Sequence, residues 1–173
     1  MEIKASFYHI VNVFLPGLVL IGVIAFLFFD DIRCLVDAVR GLESIGFELL
    51  ITISVLAIAY EVGYVVFRFG AVAIKPILKI LFKEATYKDF IAAGKTSKRA
   101  FAKLNMLSRE HAYARTHVAL SLIILVFSII NTQWILVTIC VVCIVLFLFT
   151  AHGHTKKIRE AVEEYLAETG EQS

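Results

Sequence analysis

Charged side chains are scarce in this chain. Lys, Arg, Asp and Glu make up 18% of its 173 residues, against about 25% in soluble domains. Hydrophobic residues reach 60%, where about 45–50% is usual. The scarcity is local. Phe7–Phe29 contains no Lys, Arg, Asp or Glu over 23 residues, and as a helix it would extend roughly 35 Å, enough to cross a bilayer. Further apolar stretches at 47–67, 117–130 and 134–151 bring the total close to half the chain. A soluble domain of this size has no interior able to hide so much hydrocarbon. The expected fold class is an all-α membrane protein with four transmembrane helices and long cytoplasmic helical extensions.

Other absences narrow the chemistry. The chain has no HExxH, no Walker loop, no nucleophile elbow and no paired-carboxylate arrangement, and its glycines form no phosphate-cradling run. No catalytic residue, metal or cofactor is expected. His111 and His117 are six apart and face different directions on a helix, while His152 and His154 fall at a helix end, so neither pair reads as a metal site. Cysteine is limited to three residues: Cys140-x-x-Cys143 inside the fourth stretch and Cys34 outside it. Quinone-linked thiol oxidoreductases share the four-span outline but use a second external pair, and this loop has one cysteine. The pair reads more simply as small, polarizable packing residues. No small-residue cleavage site follows Phe29, so the first span is expected to be retained, and no lipidation or sorting motif is evident.

Orientation follows from the basic residues. Fifteen of the 17 fall in alternate segments (Lys4, the stretch from Arg68 to Arg115, and Lys156, Lys157 and Arg159), leaving only Arg33 and Arg40 on the other side. Basic residues stay cytoplasmic, so both termini and the middle loop are expected inside a bacterial inner membrane. The external loop 30–46 is acidic, with Asp30, Asp31, Asp37 and Glu43. Within it Ile32, Leu35, Val36, Val39 and Leu42 recur at helical spacing.

The spans are expected at about 7–29, 47–67, 112–130 and 134–151, with the third starting near Ala112 if Arg115 snorkels to the interface. Asn131–Gln133 forms the turn of an antiparallel hairpin, and Trp134 is an interfacial anchor. Between spans two and three, 68–111 reads as a cytoplasmic amphipathic segment. Pro76 should kink or break the helix leaving span two, and Ile77–Phe82, punctuated by Lys79, should lie on the membrane surface. Thr86 and Asp89 offer a capping box for a short helix ending at Gly94, and Ser97 caps the helix running into span three. The tail 155–169 carries Ile158, Val162, Tyr165 and Leu166 on one face and Glu160, Glu163 and Glu164 on the other. An acidic face is repelled by anionic lipid, so the apolar stripe is expected to dock protein.

Polar residues inside the spans are confined to the inner leaflet: His9, Asn12 and a Pro16-Gly17 break in span one, Tyr60, Glu61, Gly63, Tyr64 and Arg68 in span two, and Arg115, His117 and Ser121 in span three. An unpaired carboxylate at Glu61 would cost at least roughly 2.5 kcal/mol. Tyr64 (i+3) and Arg68 (i+7) share its helix face, and Arg115 or His9 could also compensate it. The set Glu61, Tyr64, Arg68, His9, Asn12, Arg115 and His117 is either an intramembrane switch sensitive to protons or ligands, or a structural ion-pair set that fixes helix packing. Ala59-x-x-x-Gly63 permits close helix approach. The exposed basic residues Lys95, Lys98, Arg99, Lys103 and Arg109 fit anionic lipid rather than nucleic acid, because the aromatics among them follow amphipathic spacing.

Phe7-Tyr8-x-x-Val11-Asn12-x-x-x-Pro16-Gly17, Glu61-x-Gly63 and Arg109-Glu110 leading into span three resemble small four-span bacterial membrane proteins of anti-phage defence operons, such as the membrane subunit of the Kiwa system. That resemblance implies a homo-oligomer, tetramer-like, that docks a cytoplasmic partner and responds to infection or membrane disturbance. The expected function is a non-enzymatic sensor or anchor subunit. A gated pore that depolarises the membrane is the alternative, and a thiol/quinone oxidoreductase or small transporter comes third.

Overall fold

The computed structural model describes residues 2–29, 33, 45–82 and 84–170, with side chains for 10–29, 33, 46–82 and 84–167. Among the described residues six α-helices follow in order: α1 (Glu2–Leu27), α2 (Ile45–Phe69), α3 (Lys75–Leu81), α4 (Tyr87–Thr96), α5 (Lys98–Ile130) and α6 (Trp134–Gly170), with a π-helical turn, Gly70–Ile74, between α2 and α3. Among the described residues the chain is all-helical, and four of its helical segments are long and apolar enough to cross a membrane. The amphipathic helix expected in loop 30–46, together with Cys34, lies outside the described residues, as does the side chain of His9.

The chain divides into two compact units. The first comprises residues 1–69 with 119–142. Here α1 and α2 meet backbone to backbone. A Cβ placed on Gly17 would overlap the carbonyl oxygen of Ala59, and one on Gly63 would overlap that of Val13. Val13, Pro16, Ala59 and Val66 are fully buried around this contact. Two small residues facing each other let the helices approach until dispersion contacts are made by main-chain atoms. α1 runs unbroken through Pro16, contrary to the break expected there. Proline removes one backbone donor, but a spanning helix tolerates it where a neighbouring helix packs against the site.

At the end of α5 the chain reverses within Asn131–Gln133. Gln133 N–H donates to Ser128 O at 2.8 Å and Thr132 N–H to Ile129 O at 3.0 Å. The Asn131 side-chain amide donates to Phe127 O at 2.9 Å, so the last carbonyls of the helix are satisfied. Thr132 takes a left-handed backbone, φ 53°, to make this reversal in so few residues.

The second unit comprises residues 70–118 with 143–173. The expected break at Pro76 takes a different form: the helix widens into the π turn, and Pro76 then sits in the first turn of α3. A π turn relaxes the i−4 pattern that the ring cannot join, so hydrogen-bonded helical turns continue up to the proline where a break was expected. Thr86 occupies the N-cap position of α4 without a side-chain cap bond, and the helix passes Gly94 to end at Thr96. The capping box is therefore not formed. Ser97 does cap α5, its hydroxyl accepting from Ala100 N–H at 3.0 Å. α5 and α6 are single helices of 33 and 37 residues, roughly 50 and 55 Å long.

The core of this unit is built from Ala93 of α4, Ala100, Leu104 and Leu107 of α5, and Ala161, Val162 and Tyr165 of α6, with Phe90, Ile158 and Leu166 packed against it. The tail stripe assigned to partner docking is thus covered within the chain. Ala93 and Ala100 supply a flat surface on which the larger Val162 and Tyr165 can seat, leaving Glu160, Glu163 and Glu164 exposed.

Candidate functional site

A cavity of about 390 Å³ opens in the second unit. Its basic side comes from α3, where Lys75 and Lys79 are four residues apart and so share a face, and from Arg115 of α5. Glu84 enters from the connector before α4, and Tyr87 and Phe90 from α4 itself. One turn before Arg115, α5 adds His111, and a turn before that, Ser108; α6 closes the wall with Thr155 and Ile158. Five separate segments of chain therefore converge on one space.

Burial makes the polar groups here unusual. Arg115 is 7% exposed and His111 8%. Glu84 Oε1 stands 4.0 Å from His111 Nε2, within ion-pair range but beyond hydrogen-bonding distance. Among the described residues Arg115 Nε, His111 Nε2 and Glu84 Oε1 have no hydrogen-bond partner. Leaving such groups unsatisfied costs about 1–3 kcal/mol each, more when charged. The Thr155 hydroxyl, by contrast, donates to Ala151 O at 2.9 Å. Near the cavity a second carboxylate–imidazole pair, Glu110 Oε2 to His154 Nδ1, spans 3.3 Å. Among the described residues no three His, Cys, Asp or Glu side chains gather closely enough to hold a metal ion, so these are pairs and not a ligand set.

The other residues singled out from the sequence are distributed as follows. His117 Nδ1–H donates to Tyr113 O at 3.0 Å, and its ring packs against Tyr113 and Phe147 at tilted angles, with centroids 3.9 and 4.8 Å away. Tyr113 and Phe147 also meet edge to face, centroids 6.4 Å apart, so the three rings form a packed aromatic cluster that stands apart from the cavity lining. In the first unit Arg68 Nε donates to the Tyr64 hydroxyl at 2.8 Å, with the guanidinium 5.0 Å from the ring centroid. Glu61 is exposed, and among the described residues it joins neither of them. Asn12 is 5% exposed, and its Oδ1 has no partner among the described residues. Cys140, buried, and Cys143, half-buried, lie on α6 and form no disulfide with each other. Lys95, Lys98, Arg99, Lys103 and Arg109 are all exposed, and Lys103 pairs with Glu164 at 3.3 Å across two solvent-facing side chains.

Of the expected site residues Arg115 and, from the tail stripe, Ile158 belong to the cavity. Lys75, Lys79, Glu84, Tyr87 and Thr155 escaped sequence reasoning because they come from segments far apart in the chain. The one local signal is the i, i+4 lysine pair beside Pro76.

Glu61 carries a separate expectation. A carboxylate exposed on a spanning helix must find a partner or a proton, since leaving it charged in hydrocarbon costs at least roughly 2.5 kcal/mol. Where that partner lies on a second copy of the chain, Glu61→Gln should insert normally while lowering oligomer size in mild detergent. Wild-type oligomer size in both Glu61→Gln and Glu61→Ala, measured by light scattering, would remove Glu61 from any role in assembly.

No family model, curated protein or solved structure matches this chain.

Proposed function

We propose that the chain is a non-enzymatic subunit of a bacterial inner membrane, a sensor or anchor that self-associates and docks a cytoplasmic partner, working in anti-phage defence. The supporting observation is the separation of chemistry. Buried ionisable groups gather around one cavity in the unit formed by 70–118 and 143–173, while the exposed faces of α1 and α2 are largely hydrocarbon, including Leu15, Leu18, Phe26, Leu49, Ile53 and Leu56. Such faces suit lipid or a second copy of the chain.

A conducting path needs polar groups free to line it. Thr52 and Ser54 on α2 instead donate to carbonyls four residues earlier, Glu48 O at 2.9 Å and Leu50 O at 2.8 Å. Thr138 and Thr150 on α6 do the same. Hydroxyls turned back on their own helices favour the sensor or anchor over the pore.

Both parts of the reading are testable. Reporter fusions after residues 38 and 132 should read periplasm, and those after 95 and 170 cytoplasm, as the basic asymmetry requires. Liposomes containing the purified protein should hold a potassium gradient. A cytoplasmic signal at 38 would overturn the topology, and rapid leakage would transfer the assignment to the pore.

A further inference from the structure

We propose that the cavity bounded by Lys75, Lys79, Glu84, His111 and Arg115 binds a phosphate monoester. The assignment names a ligand class for the sensing role above, but its binding test is independent of topology and leakage.

The argument begins with Arg115. More than nine-tenths of its surface is buried, it faces the cavity, and its Nε–H meets no acceptor among the described residues. Guanidinium groups present planar, paired donors that match phosphate oxygens. Lys75 and Lys79 add two compact charges from the facing helix. With His111 counted as neutral, three cations face one carboxylate, Glu84, so the lining carries a net charge near +2. A phosphate monoester brings about −1.5 to −2 at neutral pH and balances that lining, whereas a carboxylate or phosphodiester, at −1, leaves it positive.

A second orphan atom refines the ligand. Glu84 Oε1 is a buried acceptor without a donor, on the same cavity as an unsatisfied donor. A ligand that carries a hydroxyl or ammonium beside its phosphate satisfies both. The volume, about 390 Å³, falls within the range of about 300–1,000 Å³ found for small-molecule sites. Tyr87 and Phe90 at the α4 side supply an apolar wall for the rest of the molecule.

Phosphate monoesters reach such a site either as lipid headgroups or as soluble metabolites. The full-length protein in phosphatidylcholine nanodiscs should therefore be titrated with glycerol 3-phosphate, using glycerol as the uncharged control. In a second arm the nanodiscs contain phosphatidic acid or, for comparison, phosphatidylglycerol, and the thermal unfolding midpoint is read in both arms. A saturable rise with glycerol 3-phosphate identifies a soluble ligand. A rise with phosphatidic acid beyond that with phosphatidylglycerol identifies a headgroup. Either supports the site.

Arg115→Gln should abolish the effect. The double variant Lys75→Gln/Lys79→Gln changes only exposed side chains, so it keeps the fold and should weaken binding by about tenfold or more. The proposal is overturned if glycerol 3-phosphate gives no saturable shift and phosphatidic acid gives none beyond that of phosphatidylglycerol, or if the lysine double variant binds as wild type does.

Discussion

Gly63→Ala should lower the stability of the α1–α2 pair by about 3 kcal/mol, the upper end of the overpacking range, although it adds a single methyl group. The new Cβ would lie on the Val13 carbonyl oxygen, and the mirror change Gly17→Ala would lie on that of Ala59. A flexible side chain could swing away from such an intrusion, but a helix backbone cannot. α1 and α2 must separate along their whole contact, and the dispersion contacts of Val13, Leu20, Ala59 and Val66 weaken together. The two changes disturb one contact, so the double variant should cost less than the sum of the singles.

Gly22→Ala and Gly153→Ala are the internal controls. Beyond its own helical turn, nothing lies within 4 Å of the Cβ that either would add, and relief of glycine's backbone entropy in a helix should leave both neutral or stabilised by up to about 1 kcal/mol. Unfolding by sodium dodecyl sulfate from mild detergent micelles, followed by circular dichroism, measures all four. Indistinguishable curves for Gly63→Ala and Gly22→Ala would refute the close helix contact.

The sequence reading succeeded where a signal is local and repeated. The spans expected at 7–29, 47–67, 112–130 and 134–151 fall within or largely within α1, α2, α5 and α6, because a long run of hydrocarbon side chains must satisfy its backbone within a helix. The small pair Ala59-x-x-x-Gly63 and the Ser97 cap were also visible, each resting on residues within one turn. Proline was less informative. Pro16 leaves α1 intact and Pro76 follows a π turn, because what a proline does depends on what surrounds the carbonyl it frees. The site was the least legible part. Arg115 was noticed for its depth in an apolar stretch, but Lys75, Lys79 and Glu84 become its neighbours only once α3 and the connector before α4 fold against α5. His117 resembled a functional residue and is a packing element, since its partners Tyr113 and Phe147 come from two different helices.

The tail shows the same limit in a form that can be tested. Its stripe of Ile158, Val162, Tyr165 and Leu166 is amphipathic in sequence whether the apolar face meets a partner or the chain itself. In the structure it meets Ala93, Ala100, Leu104 and Leu107. Removing residues 156–173 would expose Leu104, which is 1% accessible, and the other side chains of that core. Truncating a single buried leucine already costs about 2–5 kcal/mol, so losing one wall of the core should unfold α4 and the adjoining part of α5.

The expected result is a chain that still inserts, because the four apolar runs are intact, but is cleaved rapidly by limited proteolysis between 84 and 110. Val162→Asp should reproduce that cleavage by placing an unpaired charge at a 2% exposed position. Glu163→Gln, changing an exposed side chain, should not. If the tail serves only to dock a partner, the truncated chain and Val162→Asp would both resist protease as wild type does while the complex is lost. That outcome would assign the stripe to an interface instead of to the core.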